Sequence, residues 1–214
     1  MKNLKNNQKA FTIIELLIAS TVFSMIILGA CAAIIQMSRL YYKGIIVSRT
    51  QTAGRNLAES IAREIQFQGG EVKQTWFAAT PPVPDTSIVS IGDTQYKFAI
   101  NRQQGKDIPH AIVKYEYISS PPNDPDLNDT DLISSTYRDI LGNNMRILDL
   151  SVSKVGGGGV PTAGLYSIQV VIAYGDTDLL DFSADLADTT CKGNIAGSQW
   201  CSVVKYNTMV YQRK

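Results

Sequence analysis

Histidine is nearly absent from this chain of 214 residues: His110 stands alone, and there are only three cysteines. No Ser or Cys sits in a nucleophile motif, and the four consecutive glycines at 156–159 lack the Lys-Ser/Thr pair of a nucleotide loop. Neither a catalytic triad nor a phosphate-binding loop can be assembled, so the chain reads as a non-enzyme without a cofactor. A zinc site is short of ligands, because His110 is far in sequence from Cys191 and Cys201 and no further cysteine completes a set. Charge is sparse and balanced, with 20 Lys and Arg against 19 Asp and Glu. That balance offers no clustered basic face for nonspecific nucleic-acid binding.

What the chain has instead is one long apolar run near its amino terminus. From Phe11 to Ile35 the only charged side chain is Glu15. These roughly 25 residues make about 37 Å of helix, against a hydrocarbon core of about 30 Å, so the run is a membrane-span candidate. A carboxylate inside such a span costs roughly 2.5–3.5 kcal/mol on insertion scales, and its usual explanation is a functional role with a partner. The segment itself supplies no cation for it. An ordinary secretory signal places a shorter apolar run, about 7–15 residues, before its cleavage site, whereas this run follows Ala10. A plain anchor accounts for the length and for the flanking Lys2, Lys5 and Lys9, but not for Glu15.

The stretch Lys9-Ala10-Phe11-Thr12-Ile13-Ile14-Glu15-Leu16-Leu17-Ile18-Ala19 resembles the amino terminus of type IV pilins and type II secretion pseudopilins. It has a short basic leader, a small residue at the cut, and a glutamate fifth after the cut. Ala10 stands where the family usually has glycine. The resemblance covers about the first 35 residues. It implies a prepilin peptidase that cleaves between Ala10 and Phe11 and N-methylates Phe11. It also implies a Glu15 that meets the terminal amine of a neighbouring subunit during filament assembly. Implied partners are other pilin subunits through the helix, the membrane before assembly, and a membrane assembly platform. The leader would lie in the cytoplasm and the globular part outside, later in a pilus or a periplasmic pseudopilus. Without Lys2, Lys5 and Lys9, 20 basic residues become 17 against 19 acidic, a net charge of −2.

Downstream, apolar Leu40, Ile46, Val47, Leu57, Ile61 and Ile65 recur at three- and four-residue steps between charged positions, which extends the helix as an amphipathic half. Gly69-Gly70 is a stop signal, while Gly29, Gly44 and Gly54 are points that could soften the helix. The expected organisation is a leader over 1–10, a membrane or filament-core helix over 11–37 and an amphipathic helix over 38–68. A connector over 69–86 and a β-rich domain over 87–214 follow. Pro81, Pro82 and Pro84 keep the connector out of helix and sheet interior. Strands are expected at 87–91 and 95–100, joined by a hairpin signal at Gly92, and then at 111–119, 146–154, 165–174 and 203–211. Residues 165–174 are apolar on both sides and suit the most central strand; residues 132–141 read as a short helix or turn with Asp139 paired locally. The fold class is α+β, a long amino-terminal helix packed on an antiparallel sheet, as in a pilin.

Three sets of residues are candidates for chemistry. Cys191 and Cys201 flank a polar glycine-containing loop; outside the cytoplasm they can close a disulfide, the alternative being two free thiols, while Cys31 lies in the apolar run. Asp124, Asp126, Asn128, Asp129 and Asp131 put oxygens at alternate positions, as a calcium loop does. They lack the sixth-position Gly and twelfth-position Glu of an EF-hand, so a solvated acidic turn is the plainer reading. Asp176, Asp178, Asp181, Asp185 and Asp188 form a second acidic stretch. Lys192, Trp200, Lys205, Arg213 and Lys214 could form a small basic and aromatic patch for single-stranded nucleic acid, though four cations are few. Most of the ten tyrosines fall at strand positions, where aromatics fill cores, and Tyr41-Tyr42 marks a membrane interface.

Overall fold

The first regular element begins where the sequence supplies a cap. In a computed structural model describing residues 11–68, 71–77, 86–116, 126–129, 137–155, 164–193 and 195–213, helix α1 runs from Ile13 to Gln68. It passes without interruption through Gly29, Gly44 and Gly54. The leader at 1–10, the glycine pair at 69–70, the prolines at 81–84 and the glycine run at 156–159 lie outside the described residues. The chain divides into two units, 1–41 and 42–214.

In the first unit every described residue is exposed, and the helix contains a window apolar enough to cross a membrane. A helix apolar all round has no preferred face, so lipid or other apolar helices can cover it equally. In the second unit the same helix becomes one-sided. Its buried positions are Ile46, Thr50, Gly54, Leu57, Ala58, Ile61 and Ile65, a stripe at three- and four-residue spacing that a sheet can cover.

That cover comes from two antiparallel sheets rather than the single sheet expected. The larger has the order β1-β2-β3-β4-β5, made of Val72–Phe77, Thr86–Ile91, Thr94–Ala99, Ile112–Glu116 and Tyr137–Asp139. The smaller has the order β10-β7-β6, made of Ser202–Tyr211, Leu165–Tyr174 and Met145–Lys154. A two-residue ladder, β8 (Leu180–Asp181) with β9 (Thr190–Cys191), lies in the segment between β7 and β10. Strand β7 is the centre of its sheet, as its sequence required. Ile168, Val170 and Ile172 face the core shared with Leu57 and Ile61, while Val171 and Ala173 face a second cluster with Leu179, Leu180, Ala187 and Cys201.

Strand β6 reaches both clusters by a bulge. Its register with β7 shifts between Ile147 and Asp149, so Met145, Ile147 and Leu150 all enter the main core while Leu148 enters the second. An extra residue changes the parity of the side-chain alternation, which is how one strand serves two faces.

The connector expected over 69–86 contains a strand. Strand β1 pairs with β2 from Val72↔Ile91 to Phe77↔Thr86. It is an edge strand with four of its six residues exposed, so it carries no clean two-residue alternation. Its Gln74 joins the two sheets: Nε2 donates to the Leu150 carbonyl at 2.8 Å and Oε1 accepts from the Val152 amide at 3.1 Å. One primary amide thus satisfies the donor and acceptor that a neighbouring strand would have supplied to β6. Of the helix or turn expected over 132–141, residues 132–136 lie outside the described residues, and Tyr137–Asp139 form β5, paired to β4. The charged partner of Asp139 is not local in sequence but His110, whose Nδ1 lies 3.1 Å away.

The β2–β3 hairpin closes through Gly92-Asp93, with Ile91 opposite Thr94. Gly92 has φ +55, and a Cβ there would come within 3.0 Å of Gln68 Oε1. Gln68 in turn donates to Thr94 Oγ1 at 2.6 Å, so the last residue of α1 is fastened to this hairpin.

Candidate functional site

At the start of α1, Glu15 enters a local arrangement with Thr12. Thr12 stands just before the first helical residue and Glu15 is its third. The Glu15 amide donates to Thr12 Oγ1 at 3.3 Å; Glu15 Oε2 accepts from the Thr12 amide at 3.0 Å and from the Thr12 hydroxyl at 2.9 Å. This reciprocal Thr-x-x-Glu capping box satisfies amides that a helix start leaves without intrahelical partners. The Thr-x-x-Glu spacing is a capping signal in the sequence itself. One turn holds the carboxylate close to Phe11, at the end of the helix whose partial positive charge favours an anion. Oε1 makes no hydrogen bond among the described residues and remains available to a cation. Phe11 is 81 % exposed; Ala10 lies outside the described residues.

Cys191 and Cys201 form the disulfide, with Cα atoms 5.9 Å apart. Cys201 is buried in the second cluster, so the bridge fastens the segment over Val171 and Ala173. Trp200, beside it, stacks on Tyr42 with ring centroids 5.0 Å apart. Tyr42, read as an interface marker, therefore also touches the disulfide loop. Cys31 is exposed on the helix.

The remaining candidates do not converge. Of the acidic turn, Asp126, Asn128 and Asp129 are described, and Asp124 and Asp131 are not. Asp126 Oδ1 accepts from the Asn128 amide at 2.9 Å and from its side chain at 3.0 Å, which makes an Asx turn. Among the described residues no group of three or more His, Cys, Asp or Glu side chains is placed to hold a metal. In the second acidic stretch, Asp176 pairs with Lys106 at 2.6 Å and Asp185 caps a short 3₁₀ turn through the Ala187 amide. The basic patch is dispersed: Lys192 donates to the Asp178 carbonyl, Lys205 lies 3.5 Å from Asp188, and Arg213 sits over the ring of Phe67. Lys214 is outside the described residues.

Two buried polar groups join residues far apart in sequence, so neither period nor motif marks them. Arg146 is 1 % exposed, and its guanidinium donates to Asn101 Oδ1, Gln103 Oε1, Thr177 Oγ1 and the Gly175 carbonyl. It ties the loop after β3 to the turn after β7, and burial pulls its pKa down. His110 and Asp139 form the second group, with Gln104 Nε2 also donating to Asp139.

A family model for the prokaryotic N-terminal methylation motif matches residues 5–30. No curated protein and no solved structure gives a significant match to the chain. The matched residues contain the Thr12–Glu15 turn and the apolar start of α1, and the helix leads into antiparallel sheets. That motif and that architecture support a type IV pilin- or pseudopilin-like protein.

Proposed function

We propose that the chain is a minor structural subunit of a type IV pilus, cut between Ala10 and Phe11, N-methylated on Phe11, and assembled with its apolar helix inward. The observation that carries this reading is Glu15: a carboxylate held at the helix start by Thr12, with one oxygen uncommitted, in a stretch that holds no other charge as far as Ile35. In the membrane such a charge is a cost, and in an assembly it finds a neighbour's terminal amine. Prepilin peptidase and a membrane assembly platform are the partners this requires, with the cytoplasmic membrane as the site of storage and the cell surface as the destination. The minor role is supported by the amphipathic helical extension through Arg55–Ile65 and by the size of the β-rich unit. A secretion pseudopilin is the second reading, favoured equally by the amino-terminal motif. A tip subunit for adhesion or DNA uptake draws no support from the dispersed cations.

Mass spectrometry of the membrane fraction and of sheared filaments tests it. The expected chain starts at N-methylated Phe11 in both fractions, and Glu15→Ala stays in the membrane fraction. An intact Met1 terminus in both fractions, or normal incorporation of Glu15→Ala, would overturn the processing or the assembly claim respectively.

A further inference from the structure

A cleft of about 360 Å³ lies within the second unit, between α1 and the outer edge of the larger sheet. Its charged lining is Glu59, Arg63 and Glu64 on α1, Lys114 on β4 and Arg138 on β5. Glu64 is engaged by Lys114, which also lies 5.8 Å over the ring of Tyr96. Glu59 is engaged by Arg55 at 2.6 Å, and Ser60 by the Tyr96 hydroxyl at 2.9 Å. Arg63 and Arg138 are exposed and make no hydrogen bond or salt bridge among the described residues, although the charge of Arg63 favours the ionised form of Glu59. Two guanidiniums on one cleft repel each other, and a carboxylate between them relieves that repulsion with paired, planar hydrogen bonds. The two glutamates hold the lining to a net charge of +1, which suits one carboxylate rather than a polyanion.

The same unit carries the complementary group elsewhere. In the segment fastened by the disulfide, Asp176 and Asp188 have lysine partners. Asp178 and Asp181 are exposed and form no salt bridge among the described residues, although the charge of Asp178 is felt by Lys106. They lie over the β6-β7-β10 sheet, whereas the cleft belongs to the β4–β5 edge of the other sheet. We infer that this cleft is a docking site for a second copy of the chain, whose Asp178–Asp181 stretch supplies the carboxylate to Arg63 and Arg138. The contact is heterologous, each copy using a different surface, so it can propagate in one direction rather than closing into a two-fold pair. Two adjacent copies suffice for it, and it does not require the chain to be the most abundant subunit. Processing at Phe11 has no bearing on it.

Sedimentation of the full chain in detergent micelles tests the contact by charge exchange. One variant carries Arg63→Glu and Arg138→Glu, the other Asp178→Lys and Asp181→Lys, with far-UV circular dichroism confirming the fold of each. Wild type should self-associate at about 20 mM salt and lose most of that association by about 0.3 M, where screening is stronger. Each variant alone should associate at least tenfold more weakly, and an equimolar mixture should regain association, because each then offers what the other's cleft or segment lacks. The neutral pair Arg63→Gln and Arg138→Gln should weaken association without requiring new repulsion. A wild type that stays monomeric, variants that associate like wild type through their helices, or a mixture that stays monomeric would each overturn the inference. So would inorganic phosphate binding at Arg63 and Arg138 in a chain that never self-associates, since the cleft would then serve an anion from another source.

Discussion

Asp139 shows how a single residue ties stability to pH. Burial raises its pKa above the ordinary aspartate value, against the opposing pull of the His110 hydrogen bond and charge and of the Ile140 amide and Gln104. Its Oδ1 is buried without a partner, so the ionised form gains less from the fold than it loses from water. Between the ordinary value of about 3.9 and the raised one, the folded chain holds more protons than the unfolded chain. This residue's contribution is therefore favourable at low pH and is lost as pH rises through that window. Asp176 has the opposite sign, because the hydrogen bond from Lys106 holds its pKa down. Its contribution is present above the ordinary value and lost as pH falls. A difference measurement separates the two. The melting temperature of Asp139→Asn minus that of wild type should increase from about pH 3 to 5.5, below the usual range of histidine titration. A flat difference would show that Asp139 ionises as freely folded as unfolded.

Among the elements, β1 has the least sequence signal and a connecting role. It has no buried residue of its own, yet Gln74 occupies a carbonyl and an amide on β6. Gln74→Ala would leave the Leu150 carbonyl and the Val152 amide without those partners, at a cost of about 1–3 kcal/mol. Urea unfolding of the 42–214 unit should show this as a lower midpoint with an unchanged slope, while Gln74→Glu should recover only the half of the bridge that accepts from Val152. β5 illustrates the same limit of legibility. Three residues are too few to show a period of two, and their assignment as strand depends on the edge of β4. By contrast, β7 was readable to the residue, because a strand covered on both faces is a continuous apolar run. The helix was readable for a related reason: its stripe from Ile46 to Ile65 repeats at the helical period, and Glu15 stands out against uniform apolarity.

At the scale of the molecule, the division falls within the longest element. Every buried residue described lies at or after Ile46, so the unit over 42–214 contains its own core: one face of α1, two sheets and a disulfide-fastened segment. A fragment over 42–214 should be soluble, unfold cooperatively, and melt within about 4 °C of the full chain's corresponding transition, a shift worth about 1 kcal/mol for a unit of this size. A larger fall would mean that residues before Tyr42 contribute to its stability.

The sequence by itself determined the amino-terminal motif and the kind of fold. Leader, Phe11, Thr12, Glu15 and the apolar run are consecutive, so the signal survives without folding, and strand and helix periods follow from burial on one face or two. Tertiary structure alone decided the rest. Whether β1 is a strand, which sheet β6 closes, where Asp139 finds His110, and which arginines are left unpaired all depend on residues separated by tens of positions. Local pattern does not encode the distance between such residues. Hydrogen bonds and charges act only once the chain has brought their partners within a few ångströms, whereas hydrophobic period is written along the chain before it folds.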